Sequence, residues 1–371
     1  MIPILDLTTQ YANLKSEIDA ALAGVCASGA FINGPSVKSL ENEIAQYVGA
    51  RHGVGLNSGT DALHLALRAL DIGAGDEVIT TPFTFVATTE AIGIVGAKPV
   101  FVDIDPRTYN IDPDAVEAAI TARTKAIMPI HLYGAPADMS ALMAIARRRG
   151  LRVIEDCAQA IGATLEGRFV GTFGDIGAYS FFPSKNLGAY GDGGMAVCDS
   201  DAIAGRLRSL RAHGGRKKYH HEELGVNSRL DEMQAAILRV KLPHLDAWTR
   251  ARNAVAARYT QALQDLPAVT LPVIPAGGRH VFHQYTIRVA GRDGVQARLQ
   301  ERGVQTMVYY PVPLHLQEVH RGHAHQAGDF PHSERAASEV LSLPMFPELT
   351  EEAQARVIEA VRECVSGGVL A

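Results

Sequence analysis

Through the first two-thirds of the chain, short apolar and β-branched runs alternate with longer segments whose apolar positions recur every three or four residues. The runs Gly53–Leu56, Glu77–Thr80, Pro99–Asp103, Lys125–His131, Leu151–Asp156, Gly177–Phe182 and Gly194–Cys198 read as strands. Between several of them, Asp61–Leu70, Val86–Val95, Pro113–Ile120 and Met139–Arg149 read as amphipathic helices. Asp112 before Pro113 has the form of an N-cap and first helical residue, and Gly150 after three arginines has that of a left-handed stop. Strands alternating with helices predict an α/β fold with a mostly parallel central sheet flanked by helices on both faces. In such sheets ligands meet the carboxyl ends of the strands.

Between about 230 and 265 the pattern turns wholly helical. Leu230, Met233, Ile237 and Val240 form one apolar stripe, and Pro243 interrupts the segment. A strand over Tyr285–Val289, a helix over Val295–Arg302, a strand over Thr306–Tyr310 and a final helix over Glu351–Val365 follow. The shift divides the chain into a large domain over residues 1–245 and a smaller C-terminal α/β domain over 246–371.

Composition narrows the function classes. The net charge of −5 offers no basic surface for nucleic acid or for a membrane. No apolar run reaches the ~18 residues of a membrane helix, and the N-terminus lacks the form of a signal peptide. Four scattered cysteines without a CxxC pair argue against a metal site or a disulfide framework, so a cytoplasmic protein is expected. The histidines at 320, 323, 325 and 332 fall in a polar loop and read as solvated surface rather than as metal ligands.

Candidate chemistry centres on Ser180-Phe-Phe-Pro-Ser-Lys185-Asn-Leu-Gly188, followed by Gly191-Asp-Gly-Gly194. Lys185 stands just past an apolar strand beside aromatics, where burial disfavours its charged form. A neutral amine there can form a Schiff base with an aldehyde such as that of pyridoxal 5′-phosphate (PLP). Ser58-Gly-Thr-Asp61 opens a helix and reads either as a capping box or as a phosphate cradle, with Gly59 admitting the anion and Thr60 adding a hydroxyl. Asp156 ends an apolar strand; it is either a helix cap or the carboxylate that keeps a pyridine nitrogen protonated, with Gln159 within reach of the ring's oxygen. Phe85 either stacks on a pyridine face or sits in the core. Ser180 can donate to a phosphate. Ser228 through Asp231 resembles a second capping box, while Asn227 and Arg229 read alternatively as anion contacts across a subunit boundary. Tyr310 and His315, on either side of Pro311 and Pro313, suggest a rigid wall facing a substrate.

These segments, with Glu155-Asp-Cys-Ala-Gln-Ala160 and Asn227-Ser-Arg-Leu-Asp-Glu-Met-Gln-Ala235, resemble in order and spacing the motifs of the nucleotide-sugar aminotransferases of the DegT/StrS family. The resemblance runs from about Leu5 to the C-terminus. It implies a PLP-dependent fold type I (aspartate-aminotransferase-like) architecture and a homodimer with shared active sites. It also implies Lys185 as the Schiff-base lysine, Asp156 as the partner of the ring nitrogen, Gln159 on the ring oxygen and Phe85 in the stacking position. Gly59, Thr60 and Ser180 would hold the phosphate, joined by Asn227 from the neighbouring subunit. Relatives with histidine in place of the lysine act as sugar dehydratases; this chain keeps Lys185.

His131-Leu-Tyr-Gly134 and Tyr310-Pro-Val-Pro-Leu-His-Leu-Gln317 resemble the branch that aminates C3 of a keto sugar rather than C4. The segment Asn227–Leu242 resembles enzymes acting on dTDP-3-keto-6-deoxyhexoses, while Tyr219-His-His221 is shared with enzymes of UDP-linked uronic acids. The expected reaction is a ping-pong transfer from L-glutamate, leaving 2-oxoglutarate, to a nucleotide-linked keto sugar. Phe31, Arg229, Tyr310 and His315 are the expected substrate contacts. Two competing readings remain: a nicotinamide oxidoreductase, for which Gly59 comes one residue too late after Gly53-Val-Gly55, and a non-catalytic PLP-binding regulator.

Overall fold

A computed structural model describes residues 1–217, 219–323 and 325–366. Two helices precede the first strand: α1 (Leu7–Ser28), capped by the Asp6 carboxylate, and α2 (Pro35–Val48). The alternating region follows with β1 (His52–Leu56), α3 (Gly59–Ala69), β2 (Glu77–Thr80), α4 (Ala87–Ile94), β3 (Lys98–Phe101), α5 (Pro113–Ala119), β4 (Thr124–Ile127), α6 (Met139–Arg149), β5 (Arg152–Asp156), β6 (Ile176–Ser180), β7 (Gly194–Cys198) and α7 (Asp201–Leu210). Then come α8 (Glu232–Lys241), α9 (Leu245–Leu263), β8 (Val269–Thr270), β9 (Tyr285–Val289), α10 (Arg292–Glu301), α11 (Pro331–Glu339), β10 (Val340–Leu343) and α12 (Glu351–Ser366).

The main sheet has seven strands in the order β1-β7-β6-β5-β4-β2-β3. Its strands pair in parallel except β7, which runs antiparallel to both neighbours. Side-chain alternation along each strand serves two covers. Ile176, Ala178, Ala196 and Cys198 pack beneath α3, α4 and α7. Tyr179, Met195 and Val197 pack against α2 and α8, and Ile79, Ile127 and Val153 against α5 and α6. A second core gathers α9, β9, β10, α10 and α12, and draws in Ile2 from the chain start.

Most of the expected elements appear within a residue or two of their bounds, and Met139–Arg149 ends on Gly150 at φ 67°. Pro243 does interrupt the helix: a 3₁₀ turn over Leu242–His244 separates α8 from α9. Two expectations fail. Thr306–Tyr310 is not a strand; only Met307 bridges the sheet, to Ser342, and the partners of β9 are β8 and β10. This stretch leads into Pro311 and Pro313, and prolines cannot donate to a ladder. The stripe from Leu230 starts too early, because α8 begins at Glu232 and Ser228 Oγ bonds Asn57 Oδ1 at 3.3 Å instead of capping it.

The Glu232 carboxylate is spent elsewhere. It is buried and receives the backbone N–H groups of Ser36 and Val37, capping α2 at a point where Gly34 has no side chain to do so. A Cβ on Gly34 would lie 2.6 Å from this carboxylate. Replacing Glu232→Ala leaves both donors without an acceptor, and urea titration should show a loss of about 2 kcal/mol. A change below about 0.5 kcal/mol would remove the capping role.

Candidate active site

The carboxyl ends of β5 and β6, the first turn of α3 and the loop after β6 surround one cavity of about 460 Å³, within the ~300–1,000 Å³ typical of small-ligand sites. Lys185, Asp156, Gln159, Phe85, Gly59, Thr60, Ser180 and Tyr310 all line it. Residues from five separate stretches of sequence therefore meet where the sheet topology places a ligand.

Asp156 is buried at the end of β5. Its Oδ2 accepts from Thr88 Oγ1 at 2.9 Å, and its Oδ1 from the Ala158 N–H at 3.1 Å. Thr88 in turn pairs with Thr84 at 3.0 Å, so its one proton is aimed at the carboxylate. Burial raises the Asp156 pKa above its ordinary value, against the opposing pull of these hydrogen bonds and of Lys185. A cation placed against it would restore the charged form.

Lys185 belongs to a loop fixed at several points. Its N–H donates to Phe182 O at 2.8 Å, Lys241 Nζ donates to Gly188 O at 2.6 Å, and Asn186 Nδ2 donates to Val281 O at 3.1 Å. Burial lowers the Lys185 pKa from the ordinary 10.5 to about 8, with Asp156 acting in the opposite sense. The amine and the carboxylate thus feel each other's charge across the cavity.

Gln159 is oriented from outside the cavity. Its Oε1 accepts the Tyr133 N–H at 2.6 Å, which leaves Nε2 as the donor, 3.1 Å from the Tyr310 hydroxyl. Phe85 is 55% exposed and its ring lies 6.0 Å from that of Tyr310, a cavity wall rather than core. The opening of α3 answers both readings of Ser58. Its Oγ accepts the Asp61 N–H at 3.1 Å as a cap, while the Gly59 and Thr60 N–H groups remain on the cavity wall as the free first donors of the helix. Gly59 is required there, since a Cβ would fall 2.6 Å from Ser180 Cβ.

The remaining expected residues lie apart. Asn227 is exposed and bridges Ala212 through its backbone; Arg229 is half-buried with Nε unpaired among the described residues; Phe31 is 48% exposed. None of the three lines the cavity in a single chain. His315 does not line it either. Its ring is buried with Nε2 3.1 Å from Glu334 Oε1 and edge-on to Phe330, because the 3₁₀ turn Leu314–Leu316 directs it inward. The histidine loop is also not all surface: His320 is buried, 3.0 Å from Thr89 Oγ1. Sequence reasoning passed over Thr88, Phe182, Asp192, His283 and Tyr309. Only Phe182 carried a signal, as the exposed partner in an alternation that buries Phe181.

An anion-binding helix start, a partly buried amine, a buried carboxylate and an oriented amide donor fit the phosphate, aldehyde, ring nitrogen and ring oxygen of PLP. Fold and site together define a PLP-dependent aminotransferase. The chain belongs to the DegT/DnrJ/EryC1/StrS aminotransferase family, whose model matches residues 12–362. It is 57% identical over 364 residues to a pleiotropic regulatory protein of Geobacillus stearothermophilus (98% of each chain). It is 53% identical over 367 residues to a UDP-N-acetyl-3-dehydro-α-D-glucosamine 3-aminotransferase of Acidithiobacillus ferrooxidans (99% of this chain, 98% of that one). It is 48% identical over 362 residues to a dTDP-3-amino-3,4,6-trideoxy-α-D-glucose transaminase of Streptomyces venezuelae (98% and 96%). Among solved structures, S. venezuelae DesV in complex with a ketimine intermediate superposes with a TM-score of 0.96 at 48% identity, covering 98% of both chains. Bacillus subtilis NtdA with bound cofactor PMP gives 0.90 at 36%, covering 95% of this chain and 82% of that one.

Because burial favours the neutral amine, the fraction of Lys185 able to attack a carbonyl falls below pH 8 and saturates above it. Covalent capture of PLP by the apo-protein, followed by stopped-flow absorbance, should therefore rise with a midpoint near 8. A midpoint near the ordinary 10.5 would mean that the amine is solvated. Thr88→Val removes the donor to Asp156 and is expected to lower kcat about tenfold, the worth of one hydrogen bond to a charged group.

Proposed function

We propose that this chain transfers the amino group of L-glutamate to C3 of a nucleotide-linked keto sugar, a dTDP-3-keto-6-deoxyhexose, working as a cytoplasmic homodimer whose active sites are shared between subunits. The observation that carries the reading is the meeting of Lys185 and Asp156 in one cavity with the free N–H groups of α3. The names of the dTDP- and UDP-sugar relatives support the sugar, and both describe a change at C3. The higher identity of the UDP-sugar relative favours a UDP-linked 3-keto sugar as the second reading. The dimer is supported by the exposed Phe31 and Leu224, and by Asn227 and Arg229, which are left off the cavity of a single chain. Four free cysteines suit a reducing compartment, and among the described residues no helix is long and apolar enough to cross a membrane.

When bound, PLP supplies a carbon that carries the amino group and a protonated ring that draws electrons from it. The residues supply the rest. Lys185 Nζ, held near neutrality, takes the proton from the donor's α-carbon and gives it up again on the same side of the site. The Asp156 carboxylate stabilises positive charge opposite, with its proton affinity restrained by Thr88. Gln159 Nε2 and the Tyr310 hydroxyl orient an oxygen between them. The first turn of α3, with Ser180, anchors an anion and so fixes the distance from the anchor to Nζ. One lysine serves both half-reactions, so no separate base is needed.

Lys185→Ala should abolish turnover and leave no borohydride-trapped adduct, as read by mass spectrometry; an adduct on another residue would refute the assignment. Holoenzyme offered dTDP- and UDP-linked 3-amino sugars in the reverse direction should convert its cofactor to the amine form with the dTDP sugar. Conversion by the UDP sugar alone selects the second reading. Failure with both sugars and with glutamate would leave a binding protein, like the regulator of which the most identical of these relatives bears the name.

A further inference from the structure

Residues 155 and 156 point to opposite faces of β5. Asp156 faces the cavity. Glu155 turns the other way, wholly buried, and nothing in the chemistry above uses it. A buried carboxylate is costly unless its lone pairs are taken. Here they are. Oε1 accepts the Gly174 N–H at 2.7 Å, and Oε2 accepts the Gly171 N–H at 2.7 Å and lies 3.1 Å from His131 Nε2. His131 is equally buried. Its Nδ1 accepts the Ala137 N–H at 3.0 Å, so the proton sits on Nε2 and is donated to Glu155.

The same histidine holds Asp156 by its main chain. The His131 N–H donates to Asp156 O at 3.0 Å, while the Asp156 N–H donates to Pro129 O at 2.8 Å. Asp156 is therefore suspended between Pro129 and His131, and the His131 ring is pinned by the side chain next to Asp156 in sequence. Glu155 also ties this splice to the turn at Gly171–Gly174, which leads into β6 and so to Ser180 and Lys185. Both glycines allow the close approach: a Cβ on Gly171 would lie 2.4 Å from the Tyr179 hydroxyl, and one on Gly174 2.5 Å from Val153 O.

Cys157 lies nearby, and its sulfur with the His131 and Glu155 ligand atoms falls within 4.8 Å. A cation site is the wrong account of this group. Both imidazole nitrogens and both carboxylate oxygens are already engaged, and burial holds the thiol protonated.

We infer that Glu155, with His131, is a positioning residue that sets the aim of the Asp156 carboxylate and through it the hold on the cofactor. The inference rests on the proposed role of Asp156, which Asp156→Asn tests alone. Coupling is tested by a double-mutant cycle on the full-length protein. Glu155→Gln replaces one acceptor oxygen by an amide that faces an N–H donor. It should weaken PLP affinity, measured by absorbance titration, and lower kcat, each about tenfold, with the sugar KM unchanged. In the Asp156→Asn background the same change should alter both by less than about twofold. Equal losses in the two backgrounds would overturn the inference and leave Glu155 a structural strut. Should Glu155→Gln fail to fold, His131→Gln, which keeps the main-chain hydrogen bond to Asp156, carries the same cycle. A Glu155→Gln protein with unchanged affinity and kcat overturns it equally. Near-normal turnover of Asp156→Asn alone would instead sink the role of Asp156.

Discussion

Two groups of opposite charge, Lys185 and Asp156, share a cavity that solvates neither well. Burial favours the neutral form of each: it pulls the amine down to about 8 and pushes the carboxyl up. What keeps the pair useful is that they do not have to satisfy each other directly. The carboxylate is steadied by Thr88 and Ala158, and the lysine loop by Lys241, Asn186 and its own turn. A cationic ring bound in the cavity would complete the balance, supplying the positive charge that Asp156 lacks. The fold supplies the supports that hold both groups on the wall of one cavity.

The supports come from different layers. The free N–H donors come from a helix start, the carboxylate from a strand end, the amine from a loop, and the aromatic wall from an irregular stretch that precedes two prolines. Only a sheet that brings several strand ends to one edge can collect them, which is why the alternation of strands and helices matters more to function than any single motif. The reversal of β7 is part of the same arrangement. It closes the chain after Lys185 with a direct antiparallel partner instead of a distant crossover.

How much of this could be read beforehand follows the strength of local signals. The parallel strands and their helices are legible because apolar runs and caps mark them twice, as at Asp112 and Gly150. The lysine, the acid, the amide and the helix start are legible because strand ends and glycine turns announce them. The two N-terminal helices were not anticipated; α1 buries only a thin set, among them Leu14 and Ile18, so its pattern is faint. Thr306–Tyr310 has strand-forming residues, yet its tyrosines serve the cavity wall, so tertiary demand overrides propensity. His315 and Thr88 show the other limit: nothing in a sequence says which way a side chain turns when two buried partners compete for it. Asn227 and Arg229 stand off the cavity for a different reason under the proposed dimer, whose shared site would not be complete in one chain.

The pairing of Ser180 with Gly194 gives the lysine loop a closed neck. Gly194 also abuts the start of α3, since a Cβ there would meet Ser58 O at 2.2 Å. The segment between them is therefore a ring clasped beside the start of α3, and its circumference sets how far the Lys185 amine can swing. A residue gained or lost within it would leave the strand pairing whole, yet shift the Lys185 amine relative to the cavity wall it faces.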